Sequence, residues 1–363
     1  MAAQAQKIFR PTMRLAIILI QLLAIDQSSG QLQEDDRVAE YHARQWQWPP
    51  LPSDYIPNNS PGWRSIFERR FEQTARIADS NPKYNAFMST VHSALLAPNF
   101  TEFGWGITRG PPDLVEALLE NVKRGLESDS LPEEEHEYPV SHEYPLELPL
   151  MVPNALLNNR AMRELKPIHE AWSGVKLIAN NAYGLRVYRN QSNLQMLIDE
   201  SSTHIISSVL HVGHDPEGEP WPLVIEDFHG NTNEVFLETG DMLLYESSKC
   251  FHGRPKRFNG TWYTSLFTHY YPEDWDEERI NLEAHYRIPP EWHDVPEETM
   301  EGLETLVVSE TSFAEPSCEH EWCGLKDTIK WERPPELEFG QVVSGDAKNR
   351  SLGLDASTEG EEL

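Results

Sequence analysis

Leu194-Gln195-Met196-Leu197-Ile198-Asp199, then Thr203-His204-Ile205-Ile206-Ser207, and further on Gly240-Asp241-Met242-Leu243-Leu244-Tyr245-Glu246 and His252-Gly253-Arg254-Pro255, decide how this chain folds. These are short runs rich in apolar residues, bounded by Gly, Pro, Asp and Ser, the punctuation of strands and turns rather than of helices. Working outward from them, strands are expected at Val175–Ala179, Gly184–Arg189, Leu194–Asp199, His204–Val212, Leu223–Asp227, Asn233–Leu237, Asp241–Tyr245 and Trp262–His269. Closely spaced short strands of this kind indicate an all-β sandwich or barrel.

Upstream the period becomes helical. Pro111-Pro112-Asp113 opens a helix in which Leu114, Leu118, Leu119, Val122 and Leu126 recur on one side. A second helix is expected from Asn158 to Trp172, with Met162, Leu165, Ile168 and His169 on one face, Pro167 inside it and Gly174 past its end. A third amphipathic stretch runs from Trp63 to Ile77. Between the first two lies Ser128–Pro149, full of Glu and Pro, which reads as a solvated connection.

The chain has 363 residues and a formal net charge of −29, so nucleic acid and anionic membrane surfaces are unfavourable partners. Lys7, Arg10 and Arg14 precede an apolar run from Leu15 to Ile25, and Ser28, Ser29 and Gly30 follow: the layout of a secretory signal peptide. The run is too short to span a bilayer, which takes ~20 residues, so no stable membrane insertion is expected after cleavage. The expected setting is the secretory pathway, either the endoplasmic reticulum lumen or outside the cell. Asn-x-Ser/Thr sequons at Asn58, Asn99, Asn190, Asn259 and Asn349 fit that setting. Of three cysteines, Cys318 and Cys323 are placed to close a small loop, with a metal clip including His320 as the alternative, and Cys250 follows an apolar strand.

The organisation expected is a signal peptide at 1–30, an N-terminal extension at 31–110, a helical support region at 111–174, a β domain at 175–275 and an acidic, Pro-rich, partly disordered tail at 276–363. Tyr188 to Asp199, Thr203-His204, Glu219-Pro220-Trp221-Pro222-Leu223, Gly240 to Glu246 and His252 to Pro255 come in the order found in prolyl 4-hydroxylase-like 2-oxoglutarate/Fe(II) dioxygenases, and the segment from Asn158 to Pro272 resembles that family. The resemblance implies an α+β chain with a mainly β core, a double-stranded β-helix (jelly roll) with flanking helices. It also implies Fe(II) and 2-oxoglutarate as cofactors, with ascorbate as reductant. By the same resemblance Asp199 and His252 are metal ligands and Tyr188 lines the 2-oxoglutarate pocket.

Two family features are absent. Two residues before Asp199, where the family has its proximal metal His, stands Leu197, whose isobutyl group has no lone pair to offer. Where the family has a Lys or Arg for the distal carboxylate of 2-oxoglutarate stand Thr261 and Trp262. Thr261 offers one hydroxyl, and Arg254, Lys256 and Arg257 are substitutes only if their loop folds inward. His204 is expected to pack or hydrogen-bond rather than ligate, and Trp221, Trp262, Tyr263, Phe267, Tyr270 and Tyr271 are expected to pack in the sheet faces.

Two functions follow. One is a prolyl 4-hydroxylase-like dioxygenase acting on a protein or peptide side chain in the secretory pathway. The other is a catalytically silent dioxygenase-fold protein serving as a secreted binding module.

Overall fold

The computed structural model describes residues 36–48, 60–75, 77, 80–93, 97–128, 130–134, 148–286, 307–309, 312–315, 317–345, 349–352 and 354. The expected leader at 1–30, the sequon at Asn58, most of the acidic connection and the 287–306 and 355–363 parts of the tail lie outside the described residues. Contacts divide the chain into two units, Met1–Asp54 with His285–Val295, and Tyr55–Ala284 with Pro296–Leu363. In the smaller unit, a short helix at 36–43 leads into a turn where Tyr41 meets Trp46 and Trp48 edge-on.

The larger unit is built on strands β1 (Trp105–Arg109), β2 (Leu150–Met151), β3 (Leu177–Tyr188), β4 (Leu194–Leu197), β5 (Ile206–His214), β6 (Leu223–Glu226), β7 (Thr232–Phe236), β8 (Asp241–Tyr245), β9 (His252–Arg254), β10 (Tyr263–Pro272), β11 (Val307–Ser309), β12 (Ser312–Ala314), β13 (Thr328–Glu332), β14 (Gln341–Val343) and β15 (Asn349–Ser351). One sheet runs β15-β14-β1-β8-β5-β10-β3-β2 and the other β11-β12-β4-β9-β6-β7-β13. Following the chain from β3 to β10, strands pass repeatedly between the two sheets. Within them, β8-β5-β10-β3 face β4-β9-β6-β7, and every one of these pairings is antiparallel. That winding is a double-stranded β-helix, as expected, with helices outside it.

β5 shows why its sequence reads as an almost continuous apolar run: both of its faces are buried. Val209 points into the space between the sheets with Trp105, Ile107, Leu223, Ile225, Val235, Leu243 and Tyr245. Leu210 and Val212 point the other way, onto Leu114, Leu118 and Val122 of α3 (Pro112–Leu126) and Ala161, Leu165 and Ile168 of α4 (Ala155–Ser173). Each such side chain removed from water contributes roughly 1.5–3 kcal/mol before entropy is counted. α3 opens with Pro in its first turn beside Asp113 and ends on Lys123 and Arg124, charges that suit the helix dipole. α4 continues through Pro167 and stops where Gly174 turns left-handed, φ 76°. Two further helices, α1 (Pro61–Ala75) and α2 (Ser80–Val91), lie upstream.

The sheets reach beyond the 175–275 window expected from sequence. β1 comes from the region assigned to the extension, and β11 to β15 come from the region assigned to the tail. β12 pairs with β4, and β13 pairs with β7 in parallel. The segment after β12 holds the Cys318–Cys323 disulfide, so the small loop closes as a covalent bridge rather than a metal clip. Its Trp322 lies 3.9 Å from the Arg70 guanidinium, which also stacks 4.7 Å from Phe251 and pairs with Glu226 and Glu315 at 3.3 and 3.4 Å. Among the described residues no helix is long and apolar enough to cross a membrane.

Candidate functional site

β9 carries the site because residues i and i+2 of a strand share a face. His252 pairs with the inward-facing Ile225, so His252 and Arg254 both point between the sheets, about 6.6 Å apart along the strand. Gly253 lies between them, and a Cβ there would stand 2.6 Å from the Gln195 carbonyl of β4. β4 answers with an irregularity: Leu194 pairs with Arg254 and Leu197 with His252. This close approach brings Asp199, just past β4, to His252, with Asp199 Oδ1 3.6 Å from His252 Nε2. The Asp199 backbone is held there by its N–H donating to the Ser247 carbonyl.

The protonation pattern follows from the hydrogen bonds. His252 Nδ1–H donates to the Cys250 carbonyl at 2.9 Å, which turns Nε2 toward Asp199. Asp199 Oδ2 is buried with no hydrogen-bond partner. On the other side stands His269, from β10, with Nδ1 3.6 Å from Asp199 Oδ2. Its tautomer can be read along a chain. Ser247 Oγ–H donates to the His204 carbonyl, so Ser207 Oγ–H donates to Ser247, and Ser207 Oγ must accept from His269 Nδ1–H at 2.9 Å. His204 itself meets Thr203 Oγ1 and lies against the His269 ring at 4.1 Å, the packing and hydrogen-bonding role expected of it. Burial, reinforced by His204, His252 and His169, holds the His269 imidazole well below the usual range. Burial, then Asp199 and Tyr188, pushes the Tyr245 phenol well above its own, and its ring lies 4.5 Å from His252.

Fe(II) in an open centre needs three protein donors on one face. Asp199 and His252 qualify, but the third position is Leu197, paired with His252 across the sheet. His269 does not replace it, because its nitrogen nearer Asp199, Nδ1, carries the proton donated to Ser207 Oγ and has no lone pair for a metal. Among the described residues no group of three His, Cys, Asp or Glu side chains is arranged to hold a metal. The donor set therefore does not fit the three-ligand iron centre.

A carboxylate fits better. Arg254 is 2 % exposed. Its guanidinium donates to the Trp221 carbonyl at 2.5 Å and to Tyr263 Oη at 3.0 Å, and it lies 4.7 and 4.4 Å from the Trp221 and Tyr263 rings. Among the described residues no acidic side chain pairs with it. Tyr188, fully buried, stands edge-on to Trp221 at 4.9 Å and pairs with Tyr263 across the sheet, so it packs in the same aromatic cluster. His211 stacks on Tyr263 at 4.2 Å, its imidazole held well below the usual range by burial and by the Arg254 charge. Nearby, Ser265 Oγ is also buried without a partner.

Thr261 is a correction. It is exposed, ahead of β10, where its N–H and hydroxyl both donate to Asp215 at 3.1 and 2.7 Å. The residue facing inward at the start of β10 is Tyr263, and the buried cation beside it is Arg254 on β9. Sequence reasoning misses Trp221, Tyr263 and His211 as the neighbours of Arg254, and His269 beside Asp199. Their alternation with Thr264, Leu266 and Thr268 along β10 is the signal that locates two of them.

The chain is similar in structure to proteins of the 2-oxoglutarate–Fe(II) oxygenase family. AviO1 from Streptomyces viridochromogenes matches at 15 % identity and a TM-score of 0.38, covering 49 % of this chain and 94 % of that one. A prolyl-4-hydroxylase from Pseudomonas putida matches at 15 % identity and a TM-score of 0.35, covering 51 % and 99 %. HygX from Streptomyces hygroscopicus, with nickel, 2-oxoglutarate and hygromycin B bound, matches at 13 % identity and a TM-score of 0.36, covering 48 % and 85 %. No family model matches the sequence, and no curated protein matches it.

Proposed function

We propose that this chain is a prolyl 4-hydroxylase-like barrel that keeps a pocket for a 2-oxoglutarate-type dicarboxylate and does not hold the three-ligand iron centre: a catalytically silent binding module of the secretory pathway. The observation that carries this reading is Arg254, a buried cation between two aromatic rings with no acidic side chain among the described residues to neutralise it. Burying an unpaired charge is costly, so a ligand carboxylate in that place would stabilise the fold as it binds. Leu197 supports the silent half, because an isobutyl group cannot complete a ligand set.

A second reading is favoured by one feature, the convergence of Asp199 Oδ1 and His252 Nε2 at 3.6 Å. In it the protein is a 2-oxoglutarate- and Fe(II)-dependent dioxygenase, with ascorbate as reductant, that hydroxylates a protein or peptide side chain. Those two residues would then hold iron, which when bound supplies oxygen activation.

Anaerobic Fe(II) binding, with and without 2-oxoglutarate, separates the two when the native chain is measured beside Leu197→His. Binding gained only by the variant supports the silent module. Tight binding by the native chain replaces it with the dioxygenase.

A further inference from the structure

The turns 189–193, between β3 and β4, and 255–262, between β9 and β10, form one rim of the barrel. They are tied together: the Gln191 N–H donates to the Phe258 carbonyl at 2.7 Å and the Phe258 N–H to the Ser192 carbonyl at 2.8 Å. Each turn carries a sequon, Asn190-Gln191-Ser192 and Asn259-Gly260-Thr261, with its asparagine exposed. In each the hydroxyl is used locally in the folded chain, Ser192 Oγ accepting from the Arg189 N–H and Thr261 Oγ donating to Asp215. Both asparagine side chains stand exposed on the rim, clear of the backbone bonds that tie the two turns together.

Asn99 differs. Its side-chain oxygen is buried without a partner. The next two residues are clamped on the buried Glu246 carboxylate, through the Phe100 N–H at 3.1 Å, the Thr101 N–H at 2.8 Å and the Thr101 hydroxyl at 2.7 Å. A sugar on Asn99 would grow from an amide whose oxygen is buried beside that clamped turn, on a residue that is only partly exposed.

We infer that Asn190 and Asn259 bear N-linked glycans on this rim and that Asn99 does not, an inference that rests on the secretory-pathway reading. In the transfer, the asparagine amide nitrogen bonds to the anomeric carbon of a lipid-linked oligosaccharide. The bond from that carbon to the pyrophosphate oxygen breaks, the amide gives up a proton and lipid pyrophosphate leaves. The glycans would stand beside the turn that follows Arg254, so a macromolecular partner would have to approach the barrel away from this rim.

The test expresses the full chain in eukaryotic cells twice, once with its own N-terminus and once behind a grafted cleavable signal sequence. Sites are read by mass spectrometry after peptide-N-glycosidase treatment. Asn190→Gln and Asn259→Gln are each expected to remove one glycan from both forms, and Asn99→Gln none. Glycan on Asn99, or bare Asn190 and Asn259 in the grafted chain, overturns the inference on its geometry. A bare chain with its own N-terminus, beside a grafted chain modified at both sites, overturns it through the compartment and leaves the geometry intact.

Discussion

Leu197 stands across the sheet from His252, in register, one residue pair from completing a metal site with Asp199. Replacing Leu197 with His places an imidazole on the strand face that already holds Asp199 and His252. Fe(II) affinity in that variant is expected to rise at least ~100-fold, the scale on which removing even an outer-shell partner weakens a metal site. Anaerobic titration followed by metal analysis after gel filtration checks it.

Arg254→Met is expected to weaken 2-oxoglutarate binding by roughly 10- to 150-fold, since a charge-assisted hydrogen bond contributes ~1.5–3 kcal/mol. Thr261→Val is expected to leave affinity unchanged, because its hydroxyl serves Asp215 at the surface. Calorimetry on the two variants checks both.

Gly253→Ala is expected to destabilise the barrel and loosen the site together. Its Cβ would collide with the Gln195 backbone, which has little room to shift because β4 is also paired with β12. A fall in melting temperature together with lost ligand binding is the expected outcome, where a surface Gly→Ala change is usually mild.

Arg70→Met is expected to cost ~3–5 kcal/mol, because it leaves Glu226 and Glu315 buried with one fewer countercharge. Urea unfolding checks it, and Glu315→Gln in the Arg70→Met background is expected to recover part of the loss.

Burial holds His169 at about 4, and burial with the Lys249 charge holds His92 at about 3. Both stay neutral in the folded chain while an unfolded His takes up a proton near pH 6.5. Their contribution to stability is therefore complete above pH 6.5 and is lost as the pH falls from 6.5 toward 4 for His169 and toward 3 for His92. Each unit of that window is worth ~1.4 kcal/mol per residue. A His169→Gln variant is expected to flatten the decline in unfolding free energy between pH 6.5 and 4.

Much of the barrel was legible because β5, β6, β8 and β10 are apolar runs between turn residues, and Asp241–Tyr245 matches its strand end to end. β3 was read as two strands because Asn180 to Tyr183 in its middle are polar or exposed, although the pairing with β10 runs through them. β1 was not read at all: in five residues buried on both faces, Trp-Gly-Ile-Thr-Arg shows no alternation. β9 is three residues around a glycine, too short for any period, so the inward turn of Arg254 could not be fixed from sequence. Asp199 and His252 were legible through motif order. His269 was not, because its relation to Asp199 comes from the path of β10 across the sheet and not from spacing.

In the proposed function, Arg254 makes this barrel a carboxylate receptor that does not depend on a metal. The direct measurement is calorimetric titration of 2-oxoglutarate into the native chain with a chelator present, beside Arg254→Met. Saturable binding by the native chain, lost in the variant, is the expected result. No binding under chelator, with binding and succinate release once Fe(II) is restored, would contradict it and make the protein a working dioxygenase.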